Sequence, residues 1–164
     1  MQTASGPATG RDPKPPAGLL LAALERARAL MNGRAVIIAA TRDWSDGLSA
    51  SLRTGIAVLP ARAPAAVVTL VDLPDVSEKV VRRVLAKGAR PSTLTRATYR
   101  GRPGHPVVLG RAHWSGVFAT AKGDVGARAY LDQHSPTLVD CSDLASGRDI
   151  DTPEDAVSAG VLRA

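Results

Sequence analysis

The chain has 164 residues, 45% of them hydrophobic. That suits one domain with one substantial core and excludes a chain disordered throughout. The formal charge is +6, but the basic residues are scattered and the aromatics number two Trp, two Tyr and one Phe. A nucleic-acid platform interleaves the two types, so that reading is disfavoured, whereas a phosphorylated small molecule suits the charge.

Residues 1–17, "MQTASGPATGRDPKPPA", lack apolar periodicity and read as a disordered leader. Residues 18–164 then read as a single domain. "GLLLAALERARALMNG" recurs at three and four through Leu20, Ala23, Leu24, Ala27, Leu30 and Met31, a helical pattern, although Leu19 to Ala23 also suits a short strand. "RAVIIAA" (34–40) reads as a buried strand. In "WSDGLSASLRTGIAVL", Leu48, Leu52, Ile56 and Leu59 share one helical face, with Asp46 or Ser45 as N-cap. "AAVVTLV" (65–71) is the most strand-like segment. "SEKVVRRVLAKG" (77–88) is an amphipathic helix capped by Ser77 and ended by Gly88. "TLTRATYR" (93–100) alternates as a half-exposed strand, and "GHPVVLGR" gives another. "AHWSGVFAT" and "DVGARAYLDQH" are short helices, "TLVDC" (137–141) a late strand, and "TPEDAVSAG" (152–160) a terminal helix capped by Thr152. Strands alternating with helices predict a three-layer α/β domain with a mostly parallel mixed sheet. Ligands of such sheets bind beyond the carboxyl ends of the strands.

Four places carry candidate chemistry. Asp72 closes an apolar run and precedes Leu73-Pro74, where a carboxylate can hold a divalent cation or cap a turn. Asp149 and Asp151 flank Ile150 and face one side if the segment is extended; they equally suit a helix start. "YRGRPGHPVVLGR" offers close backbone approach at Gly101, Gly104 and Gly110, with Arg100, Arg102, His105 and Arg111 able to face an anion. In "DWSDGLSASLR", Gly47, Ser49 and Ser51 lie at a helix start, where free N–H groups bind anions. His113 and His134 show no metal-ligand spacing with His105 or Cys141. No Walker-type or Gly-x-Ser-x-Gly sequence occurs, and "GDVGAR" (123–128) is too loose for a dinucleotide fingerprint. No apolar run reaches the roughly 20 residues a membrane span needs. No secretory signal is visible, and the single cysteine forbids an intrachain disulfide, so a cytoplasmic location without membrane contact is expected.

In order, "DWSDGLSASLRTG", "VVTLVDLPDV", "ATYRGRPGHPVVLGR", "GDVGARAYL" and "DCSDLASGRDIDTPED" resemble the MobA-like nucleotidyltransferases, closest to the molybdenum-cofactor cytidylyltransferase branch, over about residues 34–157. The resemblance implies a Rossmann-like nucleotidyltransferase fold. It also implies transfer of CMP or GMP from CTP or GTP to a molybdopterin-type phosphorylated acceptor, with pyrophosphate leaving. Asp72 and Asp151 would be catalytic. With Asp149 they would hold Mg2+. Gly47, Ser49 and Ser51 would approach the nucleotide, and Gly104, His105 and Pro106 the acceptor. A molybdoenzyme or a chaperone is the further partner implied. The family's glycine-rich loop has no counterpart: Leu24 and Glu25 stand where its first glycine and neighbour would be. The first strand and loop are therefore read as truncated or altered. The competing reading is a catalytically impaired member that acts as a ligand-binding module.

Overall fold

A computed structural model describes residues 47–150. The segments read as leader, first helix or strand, strand 34–40 and terminal helix lie outside these residues, as do Ser45, Asp46 and Asp151.

Among the described residues four strands and four α-helices follow one another: α1 (Leu48–Ala57), β1 (Ala65–Val68), α2 (Glu78–Leu85), β2 (Leu94–Tyr99), β3 (Arg102–Gly110), α3 (Trp114–Thr120), α4 (Arg128–His134) and β4 (Thr137–Asp140). The sheet order is β1-β3-β2-β4. β3 runs against both neighbours, whereas β2 and β4 are parallel. Three of the four strands thus point one way, with the fourth reversed between them.

Each face of the sheet has its own core. On one side Ala66, Val107 and Leu109 meet Ile56 of α1, Trp114 and Val117 of α3, and Tyr130 and Leu131 of α4. On the other, Ala97, Tyr99, Val108 and Val139 meet Val80 and Val84 of α2. Alternation along β3 sends Val107 and Leu109 to one layer and Val108 to the other, as the two-residue period of a strand requires. Three layers result, as the alternating pattern predicts.

α2 forms where its stripe demands. Val80 and Val84, four apart, are fully buried, and Glu78 pairs with Arg82 across one turn. Ser77 holds the N-cap position, but its side chain makes no capping bond. β1 is shorter than its β-branched run of 65–71. Its ladder ends at Val68 opposite Val107, so Thr69 would have to pair with Pro106, which has no N–H to give.

β2 and β3 form a hairpin through Arg100 and Gly101, at φ 51 and 77. Two central residues with positive φ match the twist of the flanking strands. Further in, the register slips. Arg96 faces Val107 and Thr98 faces Pro103, so Ala97 alone opposes Gly104, His105 and Pro106. Those three residues bulge out of the sheet.

Candidate functional site

The carboxyl ends of β1, β2 and β4 share one edge of the sheet, and the loops there converge. From β1 the chain passes through a turn at Val71 and Asp72, so Asp72 lies four residues beyond the strand rather than directly at its tip. Leu73 is buried and anchors the turn. Oδ1 of Asp72 is shielded from solvent. From β4 the chain turns at Cys141, whose carbonyl accepts the N–H groups of Leu144 and Ala145 at 2.9 and 3.1 Å. It then runs back along the Asp72 turn. Asp75 Oδ2 accepts the N–H of Ser146 at 2.5 Å and its hydroxyl at 2.6 Å. The Ile150 N–H donates to the Asp72 carbonyl at 2.9 Å. These three bonds set exposed Asp149 on a segment stitched to the Asp72 loop.

The bulge adjoins the same place through Tyr99. The phenol is 4% exposed, and its hydroxyl donates to the His105 carbonyl at 2.6 Å. Burial pushes it up to about 12, with Cys141 and Asp75 adding to the shift. The ring lies against both Gly104 and Gly147. Burial, with Arg96 beside it, pushes the His105 imidazole down to about 4, so the ring is neutral at pH 7. Burial also lowers the Arg96 guanidinium from its ordinary value, and Asp132 lies 4.0 Å away.

The start of α1 is built differently from its sequence expectation. Gly47 is the N-cap position, at φ 79, and, having no side chain, it gives the helix no side-chain cap bond of its own. Instead Asp124 reaches across from the 123–125 turn, its Oδ1 accepting the Leu48 N–H at 3.3 Å. A carboxylate therefore already answers the helix dipole where an anion was expected. Ser49 and Ser51 point apart: Ser49 is buried and Ser51 exposed. Among the described residues the Ser49 Oγ has no hydrogen-bond partner. A shallow cleft of about 350 Å³ opens here, lined by Gly47, Ser49, Arg53, Lys122 and Asp124 among others. Arg53 is committed to the end of α3, donating to the Phe118 and Ala121 carbonyls. None of the cleft's lining residues belongs to the Asp72 loop, the 146–150 segment or the bulge.

Two further candidates serve structure. Arg111 donates to the Ala63 and Pro60 carbonyls at 2.8 and 3.0 Å and lies 4.4 Å over the Trp114 ring. Gly110 admits backbone rather than ligand, since a Cβ there would stand 2.2 Å from the Pro91 carbonyl oxygen. Sequence reasoning missed Asp75, Tyr99, Asp124 and Gly147. Only Asp75 had a local signal, as the second acid of "DLPD"; the others act across 6 to 76 residues of chain. Among the described residues no three His, Cys, Asp or Glu side chains form a metal cluster, and no helix is long and apolar enough to cross a membrane.

Helices on both faces of an open mixed sheet, with converging loops at one edge, define a Rossmann-like α/β domain. The chain belongs to the MobA-like NTP transferase family, whose domain it matches over residues 16–138. It is 36% identical over 126 residues to nicotine blue oxidoreductase of Paenarthrobacter nicotinovorans, an alignment covering 71% of this chain and 61% of that protein. It thus spans about three fifths of this curated relative's length. Among solved structures, Rv0371c of Mycobacterium tuberculosis H37Rv in complex with manganese superposes with a TM-score of 0.60 at 23% identity, over 86% of this chain and 85% of that one. The Rv0371c homologue of Mycobacterium sp. strain JC1 gives 0.57 at 21%, over 79% and 62%. The domain is therefore nucleotidyltransferase-like.

Proposed function

We propose that this chain transfers CMP or GMP from CTP or GTP to a molybdopterin-type phosphorylated acceptor, releasing pyrophosphate. The bond from Ile150 N–H to the Asp72 carbonyl carries the reading, because it brings the two predicted acid segments together. Asp72 and Asp149 are hard oxygen donors on adjoining segments, the donor type that a magnesium or manganese ion takes together with phosphate oxygens. Asp151 would complete the set. The manganese in the Rv0371c structure supports a divalent ion in this fold. When bound, such an ion neutralises charge on the triphosphate. Gly47 and Ser49, with Lys122 in the same cleft, and Ser51 outside it would lie beside the nucleotide; Asp124 already caps α1 there, so phosphate charge would fall to the ion rather than to the helix start. The bulge at Gly104, His105 and Pro106 would orient the acceptor, and neutral His105 would add no charge. No enzyme nucleophile is required, so the chain's task is positioning and electrostatics.

The test is pyrophosphate release from CTP or GTP with Mg2+ or Mn2+ and the phosphorylated pterin acceptor. Turnover is expected to fall at least a hundredfold in Asp72→Asn. No release from the unaltered chain under any acceptor condition rejects the proposal. Leu24 and Glu25, in place of a glycine-rich loop, favour a second reading as a ligand-binding module. That reading predicts calorimetric binding of acceptor without turnover. Conversion of nicotine blue without pyrophosphate release would replace both readings with the activity that the relative's name denotes.

A further inference from the structure

The bulge in β3 removes the Gly104 and His105 carbonyls from the β2 ladder, because Ala97 alone faces three residues. Such carbonyls need donors from elsewhere. β2 supplies them with side chains on both faces of the sheet. Arg96, on the α4 side, donates its Nε to the Gly104 carbonyl at 3.2 Å. Tyr99, in the α2-side core, donates its hydroxyl to the His105 carbonyl at 2.6 Å.

Tyr99 also reaches a second loop. A Cβ on Gly104 would stand 2.8 Å from Cε2 and 2.9 Å from Cδ2 of its ring, and would meet nothing else within 4 Å. A Cβ on Gly147 would stand 2.2 Å from Cδ2 and 2.6 Å from Cε2 of the same ring. Gly147 follows Ser146, which Asp75 holds, and precedes Asp149 by two residues. One ring edge therefore sets how far the bulge stands from the acid-bearing segment.

We infer that Tyr99 is the positioning residue of this site, fixing the Gly-His-Pro bulge relative to the segment that carries Asp149. What the two loops hold rests on the proposed function; the coupling between them does not. Site-specific amide exchange tests the coupling. Tyr99→Leu, which keeps apolar bulk but removes ring and hydroxyl, should speed exchange at Ser146 and Ile150 at least tenfold and leave the β1–β3 ladder unchanged. Val84→Ala, in the same core, should instead move all protected amides together. Gly104→Ala presses on the ring from the other loop. It should speed Ser146 and Ile150 in the wild-type background and have no added effect in Tyr99→Leu. This variant also decides the matter should Tyr99→Leu fail to fold. Unchanged exchange at Ser146 and Ile150, or ladder amides rising in step with them, overturns the inference.

The second readout is kinetic. Tyr99→Phe loses one hydrogen bond to the bulge, so KM for the phosphorylated acceptor should rise about fivefold with KM for CTP unchanged. Equal rises in both constants overturn the positioning role. Absence of any turnover in the wild-type chain defeats the transferase reading, while the exchange measurement still decides this one.

Discussion

Removing the Asp75 carboxylate should release the 146–150 segment while the sheet stays folded. In the wild type this carboxylate accepts two bonds from Ser146, at 2.5 and 2.6 Å. Hydrogen bonds to a charged acceptor are worth about 1.5–3 kcal/mol when buried. Ser146 is exposed, so water competes, and about 1 kcal/mol each is the fitting value. Asp75→Ala then costs about 2 kcal/mol locally, close to a thirtyfold rise in the open population. Arg148 lies within the segment, and its side chain is exposed to trypsin. Where opening is fast relative to cutting, the cleavage rate follows the open population. Cleavage after Arg148 should therefore accelerate about thirtyfold, with Ser146→Ala, which loses only the hydroxyl bond, at about fivefold. Cleavage after the exposed Arg100 in the β2–β3 turn, outside the segment, is the internal reference. A rate for Asp75→Ala within threefold of wild type would refute the claim that this carboxylate holds the acids in place.

Stability should also depend on pH through His105. Its folded pKa of about 4 lies below the unfolded value of 6.5. The unfolded chain therefore binds the extra proton between those values, and stability rises with pH across that window. The contribution is fully present above pH 6.5 and lost as pH falls towards 4, roughly 3 kcal/mol in total. Urea midpoints from pH 4 to 7 should show the slope, and His105→Gln should flatten it. A pair of glycine substitutions tests close packing. Gly110→Ala, driving a Cβ into the Pro91 carbonyl, should cost about 2–3 kcal/mol. Gly55→Ala, with open space around its Cβ in the interior of α1, should gain about 0.5–1 kcal/mol in the same urea titration.

Much of the architecture was legible because it depends on local periodicity. The stripe of α2 predicts its burial, and alternation in 93–100 predicts the bounds of β2 nearly to the residue, although no residue of the strand is exposed where a half-exposed strand was expected. What was hidden depends on partners far away in sequence. The run 65–71 has strand propensity throughout, but Pro106 on the neighbouring strand truncates its ladder. The Gly-His-Pro stretch reads as a turn, and only the strand pairing reveals it as a bulge with Ala97 opposite. The serines after Gly47 look like an open anion site, since nothing nearby announces that Asp124 closes the helix. The meeting of the Asp72 turn with the Asp149 segment was expected from the family resemblance. The residues that hold those segments there, Asp75 and Ser146, were not.

The hairpin between β2 and β3 has a consequence for how the chain folds. It joins the two central strands of the described sheet through just two residues, Arg100 and Gly101. Such short-range pairing closes in about 1–10 μs, long before distant segments can meet. The middle of the sheet can then act as a seed, with β1 and β4 zipping onto its two sides and committing the loops only at the end. Mutational φ-values should accordingly be highest at Thr95 and Val108 and lowest around Ser146 and Ile150.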